Sequence, residues 1–211
     1  MNVRKLLFAA LLALCGLLGG ILIGNRYFAS EPPPKITGIL LPQPLELPAF
    51  TLTDQDGQPF GPERLRGRWS LLYFGYTYCP DVCPTALTDL AAVQAALAEK
   101  GQDGDMAYWL VTIDPQRDTP ARLREYVRFF SPRFAGATGS EAELRKLMAQ
   151  FGVIAMRAPG SSDGAYTVDH SSTLTLIDPD GRLHAVFTAP HSPDTVLPDL
   201  LALKARYAAA H

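Results

Sequence analysis

From Phe50 onward the apolar positions fall into short continuous runs separated by stretches of helical spacing. SLLYFGY (70–76) and MAYWLVTID (106–114) are nearly unbroken, as in strands covered on both faces. Between them Leu87, Leu90, Ala91, Val93, Ala96 and Leu97 recur at helical spacing up to Lys100-Gly101. FTLTDQDGQPF predicts a hairpin turning at Asp56-Gly57. Thr119-Pro120 supplies an N-cap with proline at the first helical position, for a helix running to about Phe130. A short strand is expected over Phe134–Thr138. A capping box at Ser140-Glu141-Ala142-Glu143 then opens a helix carrying Leu144, Leu147, Met148 and Phe151. TLTLID (173–178), the turn Asp178-Pro179-Asp180-Gly181 and RLHAVFT (182–188) read as a β-hairpin. Ser192-Pro193 opens a last helical segment, whose regular part is expected to begin only at the interrupting Pro198.

Strands alternating with helices predict an α/β domain on a parallel core. A closing antiparallel hairpin makes the sheet mixed, and a cysteine motif lies between the first core strand and the first helix. This order is the thioredoxin-like arrangement, a central mixed sheet flanked by helices, here with an N-terminal β-hairpin extension. Such sheets place chemistry at the strand ends.

The N-terminus follows another pattern. Leu6 to Gly24 is an uncharged stretch of nineteen residues, preceded by Arg4 and Lys5 and followed by Asn25-Arg26. At about 1.5 Å per residue it spans about 28 Å, the hydrocarbon thickness of a bilayer. The nearest cleavage candidate, Tyr27-Phe28-Ala29, has a large residue at its first position, and Leu14 occupies the place before Cys15 where a lipoprotein signal needs a small one. The expectation is an uncleaved transmembrane helix over residues 1–29. Its leading basic residues put the N-terminus in the cytoplasm and the remainder across a bacterial inner membrane, in the periplasm. Residues 30–48, with six prolines, read as a semi-extended spacer, and 49–211 as the exported domain.

Composition adds limits. With 47% apolar residues, 19% charged residues and a net charge of -2 over 211 residues, the chain is globular and lacks the footprint of a nucleic-acid binder. Export matters for its cysteines, because that compartment is oxidising.

Cys79 and Cys83 stand four apart in YFGYTYCPDVCPTAL, each followed by proline. Proline disfavours the α region for the residue before it. The expected solution starts the regular helix at Pro84 with Cys83 as its cap, leaving 79–82 as a loop. A thiol at a helix N-terminus is acidified by the unpaired amides and the dipole. Three readings stay open. A structural disulfide closes too short a loop to stabilise much. A catalytic dithiol is weakened by its spacing, since thioredoxin-like centres use two intervening residues. A peroxidatic pattern fails, because Tyr76 stands where threonine is needed and Thr77 lies one later. The third reading is a metal site, for which two thiolates suit copper(I) and, less selectively, zinc.

A metal needs a further ligand. His211 is terminal, His184 lies in a strand pattern and His191 precedes a helix start, where capping explains it. His170 directly precedes the TLTLID strand, in the loop that faces the cysteine motif of a thioredoxin-like domain. Cys79, Cys83 and His170 form a Cys₂His set, enough for copper(I) or for an open zinc site. Asp169 either orients the imidazole or caps a turn.

FGYTYCPDVCPTAL, IDPQRDTP and YTVDHSS-TLTLIDPDG resemble, in that order, the three signature segments of the Sco/SenC proteins, over about residues 46 to 207. The resemblance implies a thioredoxin-like copper protein that assembles the copper A centre of cytochrome c oxidase subunit II. It implies Cys79, Cys83 and His170 as ligands of one copper ion, as Cu(I) and also Cu(II). It points to a metallochaperone rather than an enzyme. The enzymatic alternative is a thiol–disulfide reductase using Cys79 and Cys83 as its redox pair, acting on oxidase subunit II or another copper carrier. Periplasmic copper carriers and thioredoxin-like reductases are then further partners. Asp114, Arg117 and Asp118 of the second segment read as a turn held by an Arg–Asp pair ahead of the Thr119 cap, with partner docking or an outer role at the metal as alternatives. The Gly/Ser-rich loop RAPGSSDGAY (157–166) departs mildly from the family pattern, and its composition predicts mobility.

Overall fold

The computed structural model describes residues 3–28, 33–158 and 166–211. They divide into two units, Met1–Pro34 and Lys35–His211. The first contains α1 (Val3–Phe28). Among the described residues no helix is long and apolar enough to cross a membrane, so the transmembrane helix expected over 1–29 is not carried by what the structure describes.

In the second unit the strands are β1 (Ile39–Glu46), β2 (Leu52–Asp54), β3 (Pro59–Phe60), β4 (Trp69–Gly75), β5 (Met106–Thr112), β6 (Phe134–Thr138), β7 (Ala155–Arg157), β8 (Val168–His170), β9 (Thr173–Ile177) and β10 (Arg182–Thr188). The helices are α2 (Val82–Glu99), α3 (Pro120–Phe130), α4 (Glu141–Gln150) and α5 (Pro193–Ala210). Eight strands form one mixed sheet in the order β1-β10-β9-β4-β5-β6-β2-β3. β4 and β5 run parallel, with Trp69 opposite Met106 and Gly75 opposite Thr112, and β6 continues the parallel core. β9 lies antiparallel on the other side of β4. All seven residues of β4 are buried, as the continuous apolar run requires.

The expected hairpin forms, with Leu52 opposite Phe60. Its turn places Gly57 at φ +77°, a conformation that favours glycine, and Asp54 Oδ1 accepts the amides of Asp56 and Gln58. Thr119 and Ser140 cap α3 and α4 as read, accepting from the Arg122 and Glu143 amides.

Three differences have physical causes. Residues 39–46, inside the stretch read as a spacer, are an edge strand paired with β10. Pro42 and Pro44 fall within the register irregularity between Leu40 and Leu45, where edge prolines are tolerated. The buried Asp199 fixes its entry by accepting from the Thr37 amide and hydroxyl and the Gly38 amide at 2.6–2.9 Å. α5 begins at Pro193 and continues through Pro198. Burial of Val196, Leu200 and Leu203 holds it across the lost hydrogen bond. Finally, β7 and β8 form an unforeseen two-stranded ribbon pairing Ala155 with His170 and Arg157 with Val168. Residues 159–165 of the loop expected to be mobile lie outside the described residues.

Candidate metal centre

The cysteine arm starts where β4 ends. Asp118, fully buried, accepts the Thr77 amide at 3.0 Å and the Thr77 hydroxyl at 2.7 Å, which fixes the chain two residues before Cys79. α2 then begins at Val82, with Asp81 in the cap position. This is two residues earlier than expected. Cys83 is therefore the second helical residue and Pro84 the third, where its missing N–H is one the first turn leaves unpaired in any case.

The early start separates the two sulfurs. The Cys83 amide donates to Cys79 Sγ at 3.4 Å, so Cys79 rather than Cys83 occupies the amide-rich end of the helix. Both thiols are free. The Cys79 thiol is pulled down to about 3, chiefly by its hydrogen bond with Cys83, then by those with His170 and with the Asp81 and Cys83 backbones, against the opposing effect of burial. Cys83 moves the other way, because one thiolate suppresses its neighbour and because burial disfavours the charge. Exposure agrees: Cys79 is 9% exposed and Cys83 0%.

The histidine arm is β8. His170 is its last residue, and the turn Ser171-Ser172 joins it to β9. Nδ1 lies 3.1 Å from the Ser171 carbonyl. That acceptor calls for the Nδ1–H tautomer, which leaves the Nε2 lone pair free to bind a metal. The orienting group is thus a backbone carbonyl, while the Asp169 side chain is exposed. Nε2 stands 3.3 Å from Cys83 Sγ.

The fold brings all three expected residues together. Their ligand atoms lie within 4.8 Å of one another, and among the described residues they are the one such group. Bond lengths of about 2.3 Å to sulfur and 2.0 Å to nitrogen in a trigonal arrangement need separations of roughly 3.8–4.0 Å, so adjustments under about 1 Å complete a site. Gly75 makes the room. A Cβ there would stand 3.0 Å from Cys83 Sγ and 2.8 Å from the Tyr73 ring.

Several walls were not legible as such. Tyr73 and Tyr76 both meet His170 edge-on at 6.1 Å, although their positions in an apolar run signal only core. Tyr73 also meets His191 at 6.1 Å. His191 caps nothing: it is buried with neither ring nitrogen hydrogen-bonded, and burial holds its pKa below the usual range. His184 faces Asp178 at 3.3 Å and His211 lies against Tyr207, both away from the cysteines.

The turn after β5 forms as read and does more. Arg117 Nε pairs with Asp114 at 2.5 Å, and Thr119 caps α3. In addition Asp118 accepts from Thr112 Oγ1 at 2.6 Å as well as from Thr77, and Arg117 Nη1 donates to the Tyr166 carbonyl at 3.0 Å.

Comparison with known proteins agrees with this geometry. The family model described as SCO1/SenC matches residues 41–205. A putative copper-binding protein of Stutzerimonas stutzeri is 38% identical over 166 residues, 77% of this chain and 80% of that protein. An SCO2-like protein of Rickettsia conorii is 39% identical over 149 residues, 70% of this chain and 72% of its own. Among solved structures, copper-bound ScoI of Arabidopsis thaliana superposes with a TM-score of 0.69 at 32% identity, covering 76% of this chain and 98% of that one. Copper-bound ScoI of Bradyrhizobium japonicum gives 0.66 at 36%, covering 74% and 98%. With a mixed thioredoxin-like sheet, a Cys₂His cluster at its strand ends and a family model matched over residues 41–205, this chain belongs to the SCO1/SenC family.

Proposed function

We propose that this protein is a membrane-anchored, periplasmic copper carrier that delivers copper to the copper A site of cytochrome c oxidase subunit II, or prepares the cysteines of that site. The observation that carries the reading is the convergence of Cys79, Cys83 and His170, two soft sulfurs and one imidazole nitrogen within 4.8 Å. The set fits copper(I), which accepts three such donors. The Nδ1 contact to Ser171 points the free lone pair of His170 toward the sulfurs. The copper-bound ScoI structures and the copper-binding relative support the same cargo. The apolar stretch Leu6–Gly24 supports the anchor, and the basic residues ahead of it support the periplasmic side.

Anaerobic titration of the reduced protein with copper(I) should saturate at one equivalent, and His170→Ala should weaken binding at least tenfold. Unchanged affinity in that variant removes the histidine from the site.

A second reading has its own support. An acidic Cys79, buried but reached by solvent at 9% exposure, beside a suppressed, fully sealed Cys83 is the division of labour of an attacking and a resolving thiol. A thiol–disulfide reductase would keep its activity in His170→Ala and lose it in Cys79→Ala and Cys83→Ala. Loss of oxidase activity on deletion, restored by added copper, favours delivery; restoration by a small-molecule reductant alone favours the reductase.

A further inference from the structure

The turn Asp114–Asp118 reaches both arms of the centre. Asp118 holds the cysteine arm through the Thr77 amide and hydroxyl. One residue earlier, Arg117 faces the histidine arm. Its Nε is engaged by Asp114, its Nη1 donates to the Tyr166 carbonyl at 3.0 Å, and the Tyr166 hydroxyl returns to Asp114 Oδ1 at 2.6 Å. The guanidinium lies 3.5 Å from the centre of the Tyr166 ring and 4.8 Å from that of Tyr78, next to Cys79. Two residues beyond Tyr166 the Val168 amide donates to the Tyr76 hydroxyl at 3.0 Å. Two further on comes His170, with the Tyr76 ring edge-on to its imidazole.

We propose that Arg117 is a positioning residue for His170: its fork, braced on Asp114, fixes the entry to β8 against the same turn that fixes the cysteine loop, and so sets the separation between the imidazole and the sulfurs. The proposal rests on the copper reading above.

A turn that only capped α3 would need the Asp114–Arg117 pair and nothing more. The fork instead crosses 49 positions of sequence to a carbonyl on the histidine arm. Its remaining arm, Nη2, is buried without a partner. Buried unpaired donors are rare and costly, and a lysine, with three N–H donors to the guanidinium's five, would leave fewer of them. A lysine, however, offers neither two fixed donor directions nor a flat face for the Tyr166 ring. The chain carries the orphan donor together with the planar fork, which is what geometric control requires.

The test is a double-mutant cycle read by anaerobic competition for copper(I) against a chromophoric chelator, on the full chain. Wild type, Arg117→Lys, His170→Ala and the double variant are compared. Arg117→Lys should lose about tenfold in affinity when His170 is present, the scale typical of residues that orient a ligand. In the His170→Ala background it should change nothing beyond about twofold. Equal losses in both backgrounds, or no loss in the first, overturn the proposal. In the metal-free protein Arg117→Lys should also broaden the His170 ring resonances and leave those of His184 alone; unchanged His170 resonances count against it. If Arg117→Lys fails to fold, Tyr166→Phe, which removes only the hydroxyl bond to Asp114, should give a loss of about threefold that again requires His170, and its absence overturns the proposal. If His170→Ala itself costs no affinity, the copper reading is what has failed, and this inference goes with it.

Discussion

Replacing Gly75 by alanine would put a methyl carbon 2.8 Å from Tyr73 Cε1 and 3.0 Å from Cys83 Sγ. Non-bonded carbons rest at about 3.5–4.0 Å, so roughly 0.7 Å must be opened. Tyr73 is fully buried and has nowhere to go. The sulfur can swing, but only by leaving its 3.3 Å contact with His170. Overpacking of this kind costs about 1–3 kcal/mol, and alanine regains about 0.5–1 kcal/mol of backbone entropy over glycine. The net expectation is a loss of up to about 2.5 kcal/mol, centred near 1, or a melting temperature lower by up to about 10 °C for a domain of this size. Thermal unfolding followed by circular dichroism measures it. Timed alkylation of the metal-free protein should show Cys83 reacting faster than in wild type. A variant as stable as wild type, with Cys83 as slow to react, would refute the idea that this glycine exists to seat the sulfur.

Two further outcomes follow from buried carboxylates. Asp118→Ala strands the Thr77 amide and two hydroxyls, and should cost about 2–4 kcal/mol in urea unfolding, with Asp118→Asn losing about half as much. Asp178 is fully buried. Burial alone would raise its pKa, but hydrogen bonds from His184 and from the Arg182 backbone and guanidinium outweigh this and hold it below the usual carboxylate range. Its stabilisation is therefore complete above the unfolded value of about 3.9 and disappears as pH falls through the lower folded value. In Asp178→Asn the acid limb of the stability–pH curve should be shallower than in wild type.

The parts of the chain that read correctly are those where one local rule acts alone. Continuous apolar runs gave β4 and β5, Thr119 and Ser140 gave their helices, and Asp56-Gly57 gave its hairpin. The cluster of Cys79, Cys83 and His170 was legible because one short motif at the end of β4 and one strand entry carry its residues. What escaped depends on distant partners. Ile39–Glu46 carries prolines and no strand period, and becomes a strand because β10 offers an edge and Asp199 captures Thr37 and Gly38. β7 and β8 are three residues each, too short to show any period. The inequality of the two sulfurs follows from a two-residue shift in the start of α2, within the margin by which helix ends elude sequence rules. The links from Asp118 to Thr77 and from Arg117 to Tyr166 span 41 and 49 residues, and no local pattern encodes them.

One sulfur of the pair sits at the doorway and the other behind it. With Cys83 sealed against Tyr73 and Gly75, every visitor to the centre arrives past Cys79 and the half-buried imidazole. On the carrier function proposed above, a recipient would displace the outer donors first and Cys83 last, so the cargo would stay tethered until the recipient had taken its first grip.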